Sequence, residues 1–353
     1  MTMDEGKLNQ LVETAVRDFG ATFHAPLVVI GDRLGLYKTL AQNGPMTTDE
    51  LAASTETHER YVREWAASQA AGGYIDYDPA TRKFSMSEEQ VAVLADEDSP
   101  VFVAGAFQSA VGTLGATRKI MDRFRSGDGL GWHEHDEWLF HGTERLFRPN
   151  YVNNLVQNWI PALEGVEERL MAGAKVADIG CGHGASTVLM AKAYPKSQFF
   201  GFDYHDESIE ICRERAKAAG VEDRITFEVA KAKDYPGNDY DLVATFDCLH
   251  DMGDPAGAAK HILTTLKKDG TWMIVEPFAN DKLEDNMNPV SRAFYSVSTL
   301  CCTPASMSQE VGRGLGAQAG EARLREEVVD KGGFSQFRRA SETPFNLILE
   351  AKP

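Results

Sequence analysis

The sequence predicts an α/β chain in which a doubly wound, mostly parallel sheet follows a mainly helical domain. Three observations carry this. From residue 174 short apolar runs alternate with amphipathic helical stretches, whereas the periodicity before Gly173 is mostly helical. The first apolar run, Val176-Ala177-Asp178-Ile179, opens directly into a glycine-rich turn, Gly180-Cys181-Gly182-His183-Gly184. At 353 residues the chain is also long for a single core, so two domains are expected.

The N-terminal elements come first. Met46-Thr47-Thr48-Asp49-Glu50-Leu51 carries a capping box, in which Thr47 accepts from the backbone three residues on and Glu50 reaches back. A second helix runs through Tyr61, Val62, Trp65 and Ala66 and stops at Gly72-Gly73. Tyr74-Ile75-Asp76-Tyr77, a turn at Asp78-Pro79-Ala80, and Arg82-Lys83-Phe84-Ser85-Met86 then make a two-stranded wing. Helix, turn, helix, wing is the winged-helix order, assigned to residues 1–95. Residues 96–173 form a helical connector rich in aromatics (Trp132, Trp138, Phe140, Tyr151, Trp159), which contributes to a substrate pocket or fills a core between helices. Within it, Trp132-His133-Glu134-His135-Asp136 reads as a polar loop at a pocket mouth.

In the sheet domain, 174–353, further strands are Ser197–Asp203, Ile225–Val229, Leu242–Phe246 and Trp272–Glu276, closed by the pair Phe334–Arg339 and Asn346–Glu350. Asp254-Pro255 starts a helix with an acidic N-cap and a first-turn proline. Residues 277–333 are a lid-like insertion. A ligand is expected at the carboxyl ends of the strands. There Gly180 and Gly182 let backbone approach ligand closely, and Asp203, closing the second strand, can accept from a ribose diol.

Bulk properties narrow the partners. The net charge is −17, and residues 1–100 hold 8 Lys or Arg against 17 Asp or Glu. On the second helix Glu59 and Glu64 offset Arg60 and Arg63. Nucleic acid is therefore disfavoured as a partner and a small molecule expected. No run approaches the ~20 apolar residues of a membrane span, and Met1-Thr2-Met3-Asp4-Glu5 lacks the features of a signal peptide. Five cysteines, Cys301-Cys302 adjacent among them, show no zinc-ligand spacing, so no metal is expected and the cytoplasm is the expected compartment.

With Asp178 inside the first strand, the D-x-G-x-G-x-G loop and Asp203 after it, residues 174–353 resemble the class I S-adenosylmethionine-dependent methyltransferases. The resemblance implies a Rossmann-like, seven-stranded sheet with S-adenosylmethionine as cofactor. Asp178, Gly180, Gly182 and Gly184 would meet its methionine and ribose portions and Asp203 its ribose hydroxyls. Tyr204, Lys231, Ala232 and Asp247 complete the implied set. The family often has Asp-Ala where this chain has Lys231-Ala232, and an ammonium cannot accept from the adenine amine. The backbone of Ala232, or Asp234, is left for that contact.

Leu249-His250-Asp251-Met252 resembles the L-H-D-W stretch of small-molecule O-methyltransferases with a winged-helix dimerisation domain, Met252 standing in for tryptophan. That match implies a homodimer and an apolar or aromatic acceptor deprotonated by His250, helped by Asp251 and Glu276, with Glu310 a further helper. The competing expectation is a winged-helix transcriptional regulator or metabolite sensor built on the same fold.

Overall fold

A computed structural model describes residues 3–353; Met1 and Thr2 of the acidic N-terminus lie outside the described residues. Two compact units result. One runs to Gly112 and takes in Trp138–Pro149; the other holds Thr113–Glu137 and Asn150–Pro353. The stretch 96–173 is thus divided between them. Among the described residues, no helix is long and apolar enough to cross a membrane.

The first unit begins with a long helix, α1 (Glu5–Arg33), followed by α2 (Leu36–Asn43), α3 (Thr48–Ser54) and α4 (Glu59–Ala71). The capping box at Thr47 and Glu50 is formed and starts α3. Strands β1 (Asp76–Asp78) and β2 (Lys83–Ser85) pair antiparallel as the wing, and α5 (Glu88–Leu94) follows. Tyr37, Leu40, Leu51, Val62, Trp65 and Ile75 fill the core. On α4, Arg63 pairs with Glu59 at 2.6 Å and Arg60 with Glu64. Helix α6 (Ala104–Leu114) lies so close to the early part of α8 (Glu137–Asn154) that a Cβ on Gly142 would sit 2.2 Å from Ser109 N. Arg145 on α8 reaches Asp32 at 2.6 Å and Glu97 at 2.9 Å, tying this layer to the end of α1.

The second unit contains α7 (Thr117–Ser126), α9 (Val166–Ala172) and the sheet. Its elements are β3 (Lys175–Ile179), α10 (Ala185–Ala193), β4 (Gln198–Asp203), α11 (Asp206–Ala218), β5 (Ile225–Val229), β6 (Tyr240–Phe246), α12 (Pro255–Thr265) and β7 (Leu266–Pro277). Helices α13 (Pro289–Val297), α14 (Thr303–Met307) and α15 (Gly320–Arg325) precede β8 (Gln336–Glu342) and β9 (Asn346–Lys352). The strand order is β5-β4-β3-β6-β7-β9-β8, with β9 antiparallel to β7 and to β8. Strand β3 is the switch point: the chain first builds outward through β4 and β5, then returns to lay β6 on the other side of β3. Crevices at such points open at the strands' carboxyl ends, which here are Ile179, Asp203 and Phe246.

Strand β7 starts earlier than its apolar run indicates. Leu266 pairs with Tyr240, the register then shifts, and regular pairing resumes at Leu242 with Thr271. Lys267-Lys268-Asp269-Gly270 carries no apolar signal because it occupies this irregularity. Beyond it Trp272 is fully buried, its indole donating to Thr245 Oγ1 at 3.1 Å and its ring against Phe334. Trp272→Ala should cost about 3–5 kcal/mol, from lost burial and the cavity left behind. Urea denaturation followed by circular dichroism checks this, and a loss under about 1 kcal/mol would contradict the packing described.

Candidate functional site

Asp178 sits in the central strand, fully buried. One oxygen, Oδ2, accepts from the hydroxyls of Ser186 (2.7 Å) and Thr187 (2.6 Å) in the first turn of α10. The other, Oδ1, is buried and has no partner. Burial raises the Asp178 pKa to about 6, against the pull of the two hydroxyls and helped by the Asp203 charge. A desolvated carboxylate with one oxygen held and one vacant is matched to a cationic donor.

The loop that follows is tied to β4: Gly180 N and Cys181 N both donate to Phe202 O, at 2.7 and 3.1 Å. Gly180 and Gly184 have φ of +71° and +75°. A Cβ on Gly180 would lie 2.8 Å from Cys248 Sγ, and one on Gly184 2.9 Å from Cys212 Sγ. At Gly180 the positive φ agrees with a tight turn, and the space a Cβ would need is taken by Cys248 of the same chain. Gly182 differs: its φ is +53° and nothing lies within 4 Å of the added Cβ, so its open side is available to a ligand.

Asp203 is partly exposed at the end of β4 and accepts from Gly182 N (3.0 Å) and His205 N (2.9 Å), one bond per oxygen. Its pKa is raised because desolvation outweighs these two donors. Each oxygen retains a second lone pair. Tyr204 beside it is exposed, as is Lys231, while Ala232 is half-buried. Asp234 Oδ1 accepts from Lys231 N at 3.2 Å, closing its own turn. Lys233 pairs with Asp254 at 3.1 Å and with Glu310. Glu310, expected as a helper of His250, instead belongs to this exposed ion pair.

After β6 the chain turns sharply, with Asp247 at φ +50°. Its carboxyl accepts from Tyr151 OH (2.7 Å) and Asn346 Nδ2 (2.8 Å), so both oxygens anchor the strand end. Burial, reinforced by Glu276, raises its pKa to about 7. The sequence assigned Asp247 to the cofactor; its side chain is given to the protein. Cys248 then abuts the glycine loop, its Sγ donating to Ile179 O at 3.3 Å.

The single turn Leu249–Asp251 carries His250, buried at 3% exposure. Glu276, near the end of the neighbouring strand β7, holds this turn with both oxygens: Oε1 accepts from Leu249 N (2.8 Å) and Oε2 from His250 Nδ1 (2.6 Å). With Nδ1 donating, Nε2 faces the other way, toward Asp251 Oδ1 at 3.2 Å. That approach lacks hydrogen-bond alignment, and Asp251 Oδ1 has no hydrogen-bond partner. Asp251 Oδ2 accepts from the Trp132 indole at 3.0 Å. Cys302 Sγ completes the cluster: it, His250 and Asp251 each bring an atom to within 4.8 Å of the others. Burial disfavours charge on His250, but the Glu276 and Asp251 carboxylates outweigh it and raise its pKa well above the ordinary range. The inserted helices clamp the same turn. Gln309 donates to Asp251 O at 2.9 Å and accepts from Gly253 N, and Ser306 Oγ donates to Met252 O at 2.7 Å.

The structure thus joins the Asp178 loop, Asp203, His250, Asp251 and Glu276 at adjacent strand ends. Ser186, Thr187, Tyr151, Asn346, Trp132 and Cys302 were not singled out for these contacts. Only Ser186 and Thr187 had a local signal, hydroxyls one helical start beyond a buried acid.

Residues 170–319 match a family model described as a methyltransferase domain, and residues 22–96 one described as an Rv2258c-like winged HTH domain. Methyltransferase GfsG of Streptomyces halstedii is 26% identical over 155 residues, a match spanning 43% of this chain and 55% of that protein. The chain thus spans about half the length of that relative. Among solved structures, a putative O-methyltransferase of Nostoc punctiforme superposes over 100% of both chains with a TM-score of 0.73 at 20% identity. Human N-acetylserotonin methyltransferase, solved with S-adenosylmethionine, covers 100% of this chain and 99% of its own, with a TM-score of 0.71 at 17% identity. At these identities the likeness to the solved structures is one of fold. Two family models are thus matched along the chain, a winged HTH domain over residues 22–96 followed by a methyltransferase domain over residues 170–319.

Proposed function

We propose that the chain transfers a methyl group from S-adenosylmethionine to an oxygen of a small, apolar or aromatic acceptor, with His250 as general base. The observation that carries this is the Glu276–His250 pair, 2.6 Å long and fully buried, on the turn whose Cys248 touches the glycine loop. The residues fit the cofactor. Asp178 Oδ1, buried and vacant, suits the methionine ammonium, and the free lone pairs of Asp203 suit the ribose hydroxyls. On the adenine side Lys231 brings no acceptor, and Asp234 is engaged in its own turn, so that contact falls to backbone beside Ala232.

When bound, the cofactor supplies an electrophilic methyl on a sulfonium; the protein's part is to align a nucleophile with it and remove a proton. Nε2 of His250 takes the acceptor's hydroxyl proton. Glu276 fixes the ring through Nδ1 and stabilises the imidazolium that forms. Its charge makes Nε2 a stronger base while reducing the fraction that is neutral. Asp251, held by Trp132, faces the same nitrogen and adds to this field. A regulator reading loses its DNA-facing cations, because Arg60 and Arg63 are already paired on α4.

The same reading includes a homodimer. Leu8, Val12, Val16, Phe19 and Phe23 recur every three or four residues on α1, and Val16, Phe19 and Phe23 are 64%, 66% and 64% exposed. No residue of α1 before Ala25 is buried. A helix this long with an uncovered apolar stripe is matched to the same stripe on a second copy.

His250→Ala should lower kcat by about 10²–10⁴-fold with cofactor Kd held within about twofold, and Glu276→Gln should lower kcat less. Full turnover by His250→Ala on the true acceptor would remove the base assignment. Separately, replacing Val16, Phe19 and Phe23 together by glutamine should convert a dimer to monomer in light scattering; a wild-type chain that is already monomeric would contradict the dimer.

A further inference from the structure

Three donor atoms of different chemistry meet at one buried point: His250 Nε2, Asp251 Oδ1 and Cys302 Sγ, all within 4.8 Å of one another. They come from two segments, the turn after β6 and the helical stretch Ser298–Cys302, so no ligand spacing shows in the sequence. We propose that they form a three-ligand site for a borderline divalent cation such as Zn²⁺, which takes nitrogen, oxygen and sulfur ligands together.

The geometry of the cluster and its outer contacts support this. Nε2 and Oδ1 are 3.2 Å apart yet misaligned for a hydrogen bond, and Oδ1 has no hydrogen-bond partner. Ligand edges in a tetrahedral zinc site measure about 3.3–3.8 Å, so this pair is already near its spacing. The outer contacts are in place as well. Glu276 accepts from Nδ1 at 2.6 Å, leaving Nε2 as the coordinating nitrogen, and the Trp132 indole holds the second oxygen of Asp251 at 3.0 Å.

With three protein ligands the fourth position is open. Coordination consumes the Nε2 lone pair, so the metal-bound form lacks the base assigned above. That consequence rests on the methyl-transfer reading; occupancy itself does not.

The test is a titration of the metal-free, full-length protein with Co²⁺ alone, without cofactor or acceptor. One equivalent should bring up tetrahedral visible bands and a thiolate-to-cobalt charge-transfer band, both displaced by Zn²⁺. Cys302→Ser should abolish the charge-transfer band, whereas Cys301→Ser should keep it. Glu276→Gln should weaken Zn²⁺ by about 10–100-fold. Unchanged circular dichroism shows that each variant is folded. Absence of the band in the wild type, its survival in Cys302→Ser, or its loss in folded Cys301→Ser would each overturn the site. A catalytically silent protein that shows the band would still carry the metal site.

Discussion

The Glu276 carboxylate is the contact on which the candidate site depends. It lies near the end of β7 and reaches across to the turn after β6, where one oxygen fixes a backbone N–H and the other an imidazole. Neither β6 nor the turn after it could hold His250 in one orientation alone. A carboxylate buried this deeply is tolerated only while paired, and removing one member of such a pair typically costs about 3–5 kcal/mol. The bond therefore fixes the turn, the tautomer of the ring and the side from which Nε2 can be approached.

The rest of the site is arranged around that orientation. Asp247 turns the chain out of β6 with an unfavourable backbone angle, and Tyr151 and Asn346 hold its carboxyl so that the turn persists. Cys248 then packs under Gly180, which couples the His250 turn to the loop between β3 and α10. Asp178 and Asp203 anchor the two sides of that loop, one beneath it in β3 and one beside it in β4. The inserted segment contributes Ser306, Gln309 and Cys302. Strand order sets the stage, but hydrogen bonds between distant segments do the positioning.

That division explains what could be read from the sequence. The Thr47 capping box, the wing, the strands from Val176 onward and the Asp254 cap are local patterns, and each has its structural counterpart. His250, Asp178 and Asp203 were legible because strand ends and glycine turns mark positions. The partners were not. Trp132 lies 119 residues from Asp251, and Tyr151 lies 96 from Asp247. No periodicity links such pairs; only the folded sheet does. The tryptophan that read as part of a polar loop in fact supplies a hydrogen bond to a buried acid. The same holds for Glu310, where strand-end logic was extended to an exposed segment and a nearer cation, Lys233, takes the charge instead.

The central claim is that the glycine loop and the His250 turn serve one ligand, and the vacant oxygen of Asp178 is its most specific feature. Calorimetry of S-adenosylmethionine binding to the wild type and to Asp178→Asn tests it directly. The amide keeps an acceptor for Ser186 and Thr187 while removing the charge, so binding should weaken by about tenfold or more, as expected for a lost charge-assisted hydrogen bond. Equal affinity in the two proteins, or no binding by the wild type, would contradict the account.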